Sequence, residues 1–172
     1  RRHTRYPLVT GVQTCALPIS SKLSELERIS LINNSGSDLA ISISIDRYPN
    51  EKAHGVSTYF YGSDQHGIHS VVGERFATLV QREICARTDL LNARTHAKTW
   101  EILRLTKSPA VLLELGYITN PRDAQRLNDE SFRETIAEAL VIAIQRLYLS
   151  AQEDAKTGTL RIEDLRKAGI RR

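Results

Sequence analysis

The sequence predicts a three-layer α/β domain in which helices cover both faces of a mostly parallel central sheet. Three observations lead there. Stretches rich in β-branched or alternating apolar residues take turns along the chain with stretches of helical period. One run, AVLLELGYI (110–118), is apolar almost throughout, as in strands covered on both faces. The chain has 172 residues, 41% of them hydrophobic and 26% charged, enough for one domain with a sizeable core.

The elements follow in order. In SKLSELERISLINNSG (21–36), Leu23, Leu26 and Ile29 fall at helical spacing, and Asn-Asn-Ser-Gly ends the helix. DLAISISID (38–46) is a strand that surfaces on a hydroxyl and a carboxylate, Ser44 and Asp46. Pro49, Asn50 and Gly55 mark a loop before a second strand, VSTYFYG (56–62), and SDQHG is a further loop. From Ser70 to Arg87, Val72, Phe76, Leu79, Val80 and Ile84 form the stripe of an amphipathic helix. RTDLLNARTHAK reads as polar and irregular, TWEILRLT (99–106) as a short strand, and AVLLELGYI as the central strand. NPRDAQRLND makes a short helix. Ser131 with Glu134 then reads as a capping box that opens the last helix, lined by Phe132, Ile136, Leu140, Ile144 and Leu147. The tail from Gln152 is polar, with a faint helical pattern at Ile162, Leu165 and Ile170.

Charge and cysteine content narrow the function classes. The net charge of +4 is concentrated in Arg1, Arg2 and Arg5 at one end and Arg161, Arg166, Lys167, Arg171 and Arg172 at the other. Acids and bases mix between them, without the basic patch and interleaved aromatics of a nucleic-acid footprint. No apolar run approaches the roughly 18 residues that span a bilayer. The opening RRHTRYPLVTGVQTCALPIS has the outline of an export signal, but Gln13, Thr14 and Pro18 interrupt its apolar stretch. VTGVQTCALPI instead resembles the translation of a sequencing-library adapter. Residues 1–19 are therefore expected to be non-native, with the domain at 20–150 and a polar, basic tail at 151–172. Setting Cys15 aside leaves Cys85, a small core residue on the apolar side of its helix, with no disulfide framework and no CxxC pair.

Glu114 is the most informative residue. A carboxylate within an apolar strand is costly unless it is paired or emerges into a cleft, and clefts in α/β sheets lie at the carboxyl ends of strands. Two readings stand side by side: a salt bridge to Arg94 or Arg104, or a general acid/base with a pKa raised by apolar walls.

An ordered set of motifs adds to this. It comprises Arg28, Asn33, Asp38 with Ser42-Ile43, Gly55-Val56-Ser57-Thr58-Tyr59-Phe60, Phe76-Ala77 with Gln81, Arg94, the run Pro109-Ala110-Val111-Leu112-Leu113-Glu114-Leu115-Gly116-Tyr117, and Asn120. From Arg28 to Tyr148 the chain resembles the zinc-dependent N-acetylmuramoyl-L-alanine amidases of bacterial cell walls, the amidase-3 group. The resemblance implies zinc held by two histidines and a glutamate, with a second glutamate, at the position of Glu114, assisting proton transfer. It also implies that the first histidine and the metal-binding glutamate belong to motifs upstream of Ser20.

The second histidine of the family belongs to S-I-H-x-N. Here that position is Ser44, and Asp46 replaces the asparagine. A neutral hydroxyl is a poor zinc ligand beside imidazole, so no cofactor is expected for this chain, and Zn²⁺ only if a working enzyme is the correct reading. Asp46 lies one step further along the strand, and His54, His66 and His69 fall in polar loops. With Thr95 at the position of a family glycine and His96 after it, the chain is most similar to a narrower group, actinobacterial pseudo-amidases. That likeness implies a metal-free regulator of peptidoglycan precursor synthesis in the cytoplasm, with peptidoglycan-binding repeats upstream, a phosphorylated tail, and a precursor-synthesis enzyme or peptidoglycan fragment as partner. Asp46, Arg94 and Asn120 are its ligand-binding candidates. The alternative is an active amidase in the cell envelope that hydrolyses the N-acetylmuramoyl-L-alanine bond.

Overall fold

The computed structural model describes residues 23–63 and 67–156. The expected artefact at 1–19, Cys15, both arginine-rich ends, His66 and the faint helix around Leu165 lie outside them.

The first helix, α1 (Glu25–Asn34), opens with a capping box. The Glu27 amide donates to Ser24 Oγ at 3.3 Å, and the Ser24 amide donates to Glu27 Oε2 at 2.8 Å. Strand β1 (Ala40–Asp46) follows, then β2 (Val56–Ser63), the two-residue β3 (Ile68–His69), and α2 (Val71–Cys85) with Ser70 as its N-cap. Next come β4 (Asn92–Lys98), the single turn α3 (Glu101–Arg104), β5 (Ala110–Tyr117), α4 (Pro121–Asn128) and the long α5 (Glu130–Lys156).

The five strands form one sheet, ordered β1-β5-β2, with β4 and β3 also pairing with β2. It is mixed, where the sequence suggested mostly parallel. β1 and β5 run parallel, as do β2 and β4, but β2 runs antiparallel to both β5 and β3. The reason lies in the connection at 47–55. It holds no helix and falls short of the dozen or so residues that a parallel crossover needs, so β2 returns against the direction of β1.

Two other segments differ from expectation. ARTHAK is strand β4, whose residues alternate exposed and half-buried; its polar composition hides the pairing from a hydrophobicity pattern. TWEILRLT holds a helical turn and no strand: the amides of Leu103 and Arg104 donate back to Trp100 O, and Ile102 and Leu103 pack with Ile29 and Ala110. The last helix also starts differently. Asp129 Oδ1 accepts the Ser131 amide at 3.0 Å, so Asp129 caps α5 in place of the expected Ser131–Glu134 box.

Both faces of the sheet are covered. On one, α2 and α5 pack over Val56, Phe60, Val111, Leu113 and Leu115, contributing Phe76, Val80, Ile84, Ile136, Ala139, Ala143 and Leu147. Val72, expected in the α2 stripe, is exposed. Cys85 is half-buried against this core, as expected, and burial raises its thiol pKa. Glu83, almost wholly buried, ties the two helices together by accepting Arg87 at 2.6 Å, Arg82 at 2.8 Å and Arg146 at 3.2 Å. Burial opposes its charge, but the guanidinium groups outweigh that and hold the carboxyl below the ordinary range. On the other face, Ile29 of α1 and Ile102 and Leu103 of α3 cover Ala110, Tyr59, Tyr61 and Leu112.

Several motif residues turn out to be internal ties. Asn33 donates to Leu105 O at 2.9 Å and accepts the Lys107 amide at 2.8 Å, fixing the turn that leads into β5. Gln81 Nε2 donates to Val56 O and to Asn92 Oδ1, both at 2.8 Å, joining α2 to the starts of β2 and β4. Gly55 has φ +107°, and a Cβ there would stand 2.4 Å from Leu91 O, so only glycine fits.

The tightest tie is Asp123, 1% exposed at the start of α4. One oxygen accepts the Gly55 amide at 3.0 Å and the Tyr117 amide at 3.2 Å, while the other receives Arg126 at 3.1 Å. It therefore locks the start of β2 to the end of β5. Gly116, at φ +81°, makes room for that carboxylate, which a Cβ would approach to 3.2 Å. Asp123→Ala strands two amide donors, and we expect it to lower the unfolding free energy by about 2–4 kcal/mol, measured by urea denaturation.

Candidate functional site

Strand register places three polar side chains in one row. Ser44 of β1 is opposite Glu114 of β5, which is opposite Ser57 of β2. Alternation directs all three to the α1/α3 face, because Ile43, Leu113, Val56 and Thr58 take the other. The row lies at the carboxyl ends of the parallel β1 and β5, where ligands of α/β sheets bind.

Glu114 is half-buried, and hydroxyls satisfy it where a salt bridge to arginine was one expectation. Tyr59 OH donates to Glu114 Oε2 at 2.7 Å and Ser57 Oγ donates to the same oxygen at 3.2 Å, with Ser57 and Tyr59 3.0 Å apart. Arg104 instead meets Glu101 at 3.8 Å. Arg94 is exposed, sits at the register shift between β2 and β4, and adopts φ +72°, rare for a residue with a side chain. Burial pushes the Tyr59 phenol up to about 12, and the Glu114 carboxylate beside it acts in the same direction. The Tyr117 phenol is raised as well, first by burial and then by the charges of Glu114 and Asp46.

The remaining candidates separate. Ser44 Oγ makes one long hydrogen bond, to Leu113 O at 3.4 Å. The register slips after Ser44, so Asp46 lies opposite Tyr117, and its Oδ1 accepts the Arg47 amide at 2.7 Å. Asn120 caps α4, accepting the Arg122 and Asp123 amides at 3.0 and 3.1 Å, while its Nδ2 donates to Glu51 O at 2.7 Å. His54 contacts Lys52 O at 2.7 Å, and His69 lies 3.2 Å from Glu74. No group of three His, Cys, Asp or Glu side chains arranged to hold a metal occurs among the described residues. The donors in the row, a serine hydroxyl and a glutamate already bonded to two hydroxyls, do not fit zinc.

Beside the row lies an aromatic strip that the sequence reading missed. Tyr59 stacks with His96 at 5.6 Å between centroids and meets Trp100 at 4.7 Å; Lys98 Nζ stands 5.7 Å over the Trp100 ring. The signal that could have found it is parity, since Ser57 and Tyr59 share a face of β2, and Tyr59 is opposite His96. A shallow cavity of about 360 Å³ lies elsewhere, lined by Asn33, Asp38, Lys107 and Pro109 near the amino ends of β1 and β5.

One consequence is measurable. The Tyr59 pKa is raised above its ordinary 10, so its contribution to stability is complete below pH 10 and is lost as pH rises toward about 12. Tyr59→Phe is expected to flatten the fall in stability over that window, read from thermal melts at stepped pH.

Among the described residues, no helix is long and apolar enough to cross a membrane. Comparison with known proteins agrees with the fold and the motifs. The chain is 39% identical over 156 residues to the N-acetylmuramoyl-L-alanine amidase CwlM of Mycobacterium tuberculosis, covering 90% of this chain and 38% of that protein. It is 33% identical over 113 residues to the probable cell wall amidase LytH of Staphylococcus epidermidis, covering 66% of this chain and 36% of LytH. The chain thus spans little more than a third of these relatives. Its fold matches the crystal structure of an N-acetylmuramoyl-L-alanine amidase from Clostridium difficile 630, with a TM-score of 0.65 and 26% identity over 77% of this chain and 67% of that one. Residues 11–146 match the N-acetylmuramoyl-L-alanine amidase family of the amidase-3 type, and the chain belongs to it.

Proposed function

We propose that this amidase-fold chain acts in peptidoglycan metabolism as a non-catalytic regulator of peptidoglycan biosynthesis. Its role is to bind a peptidoglycan fragment and to act on a precursor-synthesis enzyme from the cytoplasmic side. The observation that carries the reading is Ser44. It is in register with Glu114 and, by the motif resemblance, takes the family's zinc-histidine position, so it offers a hydroxyl where the metal needs imidazole. Glu114 supports it. One of its oxygens accepts two hydroxyls, an arrangement that suits a fixed polar contact in a binding surface.

A second reading has its own observation. Glu114 is retained, half-buried, at the carboxyl end of a central strand, where a proton-transfer group of an active amidase would stand. An enzyme would hydrolyse the N-acetylmuramoyl-L-alanine bond, with Zn²⁺ held largely by residues beyond those described. The name of the mycobacterial relative is that of an amidase.

The two readings separate in one experiment. The full-length natural protein and its Ser44→His variant are assayed for bound zinc by atomic emission and for muropeptide cleavage by chromatography. We expect the unmodified protein to bind no stoichiometric zinc and to release no peptide. Stoichiometric zinc with turnover in the unmodified protein would eliminate the regulator.

A further inference from the structure

We propose that a donor-lined groove at the amino end of β5, across the sheet from Ser44 and Glu114, binds the phosphoryl group of a small, hydroxylated phosphate monoester. The inference stands apart from the proposed function and holds for a regulator and for an enzyme alike.

The groove forms where three connections meet at the start of β5. α3 ends at Arg104, and the turn fixed by Asn33 carries the chain through Lys107, Ser108 and Pro109 into Ala110. β2 runs antiparallel to β5, so its last residues, Tyr61 among them, arrive at the same end. The Ser70 amide donates to Tyr61 O at 2.8 Å just before α2 begins. Between them lies a shallow cavity of about 200 Å³, whose polar lining includes Tyr61, Ser70, Arg104, Lys107 and Ser108.

The chemistry of that lining is one-sided. Arg104 and Lys107 supply two cations, and no acidic residue lines the cavity. The Lys107 amide is engaged with Asn33, but nothing among the described residues pairs with its ammonium. Arg104 stands 3.8 Å from Glu101, beyond hydrogen-bond range, and solvent weakens a pair so exposed. The hydroxyls add donors. Ser70 Oγ accepts the Gly73 amide at 3.1 Å, and its own proton has no acceptor among the described residues. Tyr61 is half-buried, and its phenol, like Ser108 Oγ, has no partner among them either. Thr106, by contrast, is satisfied, donating to Ile102 O at 2.6 Å.

Uncommitted donors with no carboxylate beside them select an oxyanion. A carboxylate brings two oxygens and one charge. A phosphate monoester brings three strong acceptor oxygens and a charge of about −1.5 to −2, which answers both cations and leaves acceptors for the hydroxyls. The adjoining cavity of about 360 Å³ orients the rest of the ligand. It shares Lys107, Ser108 and Pro109 and adds Ser37 and Asp38. The Asp38 carboxylate repels a phosphoryl group and accepts hydroxyls, so the charged end lies toward Arg104 and the hydroxylated body toward Asp38.

The isotope-labelled chain is titrated by NMR with inorganic phosphate, glucose 6-phosphate, glucose and acetate at fixed ionic strength. Arg104→Ala and Lys107→Ala are run beside it, with Lys52→Ala removing a cation from the 47–55 loop at the other end of the sheet. All three side chains are exposed, so the fold is retained, and thermal melts verify it. Saturable shifts of the Ser70, Lys107 and Ser108 amides with phosphate, and tighter binding of glucose 6-phosphate, support the site. Weakening by about tenfold in Arg104→Ala or Lys107→Ala, as for one lost charge-assisted hydrogen bond, supports it when Lys52→Ala has no effect. Acetate or glucose binding as tightly as phosphate overturns the phosphoryl assignment. Phosphate binding that both Arg104→Ala and Lys107→Ala leave intact, or that Lys52→Ala weakens equally, overturns the location. Glucose 6-phosphate binding no tighter than phosphate overturns the part given to the adjoining cavity. Absence of saturable shifts with both phosphate probes overturns the whole proposal and leaves the proposed function standing.

Discussion

The carboxylate of Asp123 fixes the geometry on which everything else depends. It accepts backbone amides from Gly55, just before β2, and from Tyr117, at the end of β5. Those positions lie two and three residues from Ser57 and Glu114, so a slip of one residue at this joint would turn the hydroxyl or the carboxylate to the opposite face. Arg126 and the two amides compensate its burial, which would otherwise be prohibitive for a charge. Gly116 yields the space.

From that joint the sheet divides its labour. Over β2 and β5 one face is closed under α2 and α5, held by a contiguous apolar core and by the arginines around Glu83. The other is only partly covered, because α1 and α3 reach the amino-terminal half of β5 and leave Ser44 and Glu114 half-buried, while Ser57 is buried. A polar row on a rigid sheet costs little to hold in place, since the backbone fixes its spacing and the hydroxyls of Ser57 and Tyr59 orient the carboxylate.

What could be read in advance depended on whether the signal was local. Glu114 was legible because a carboxylate in an apolar strand is conspicuous in sequence; β1, β2 and α2 were legible from period, and β5 from its unbroken apolar run. Its partners were not. Ser57 and Tyr59 are more than fifty residues away and meet it only through the antiparallel pairing, whereas the sequence drew attention to arginines. β4 escaped notice because it is written in Asn, Arg, Thr and His, and α3 because a single turn is too short to show a period. Asp46 and Asn120 were noticed for their chemistry, and in the fold their side chains bond to nearby backbone.

The ties formed by Asn33, Gln81, Gly55 and Asn120 separate ancestry from trade. They belong to the motifs that carry the family resemblance, and each ties together segments distant in sequence. Ser44 carries almost none of that tension, with a single stretched contact to a neighbouring carbonyl. The hydroxyl of Ser44 thus bears little of the load, and the sheet would keep its shape with another side chain there.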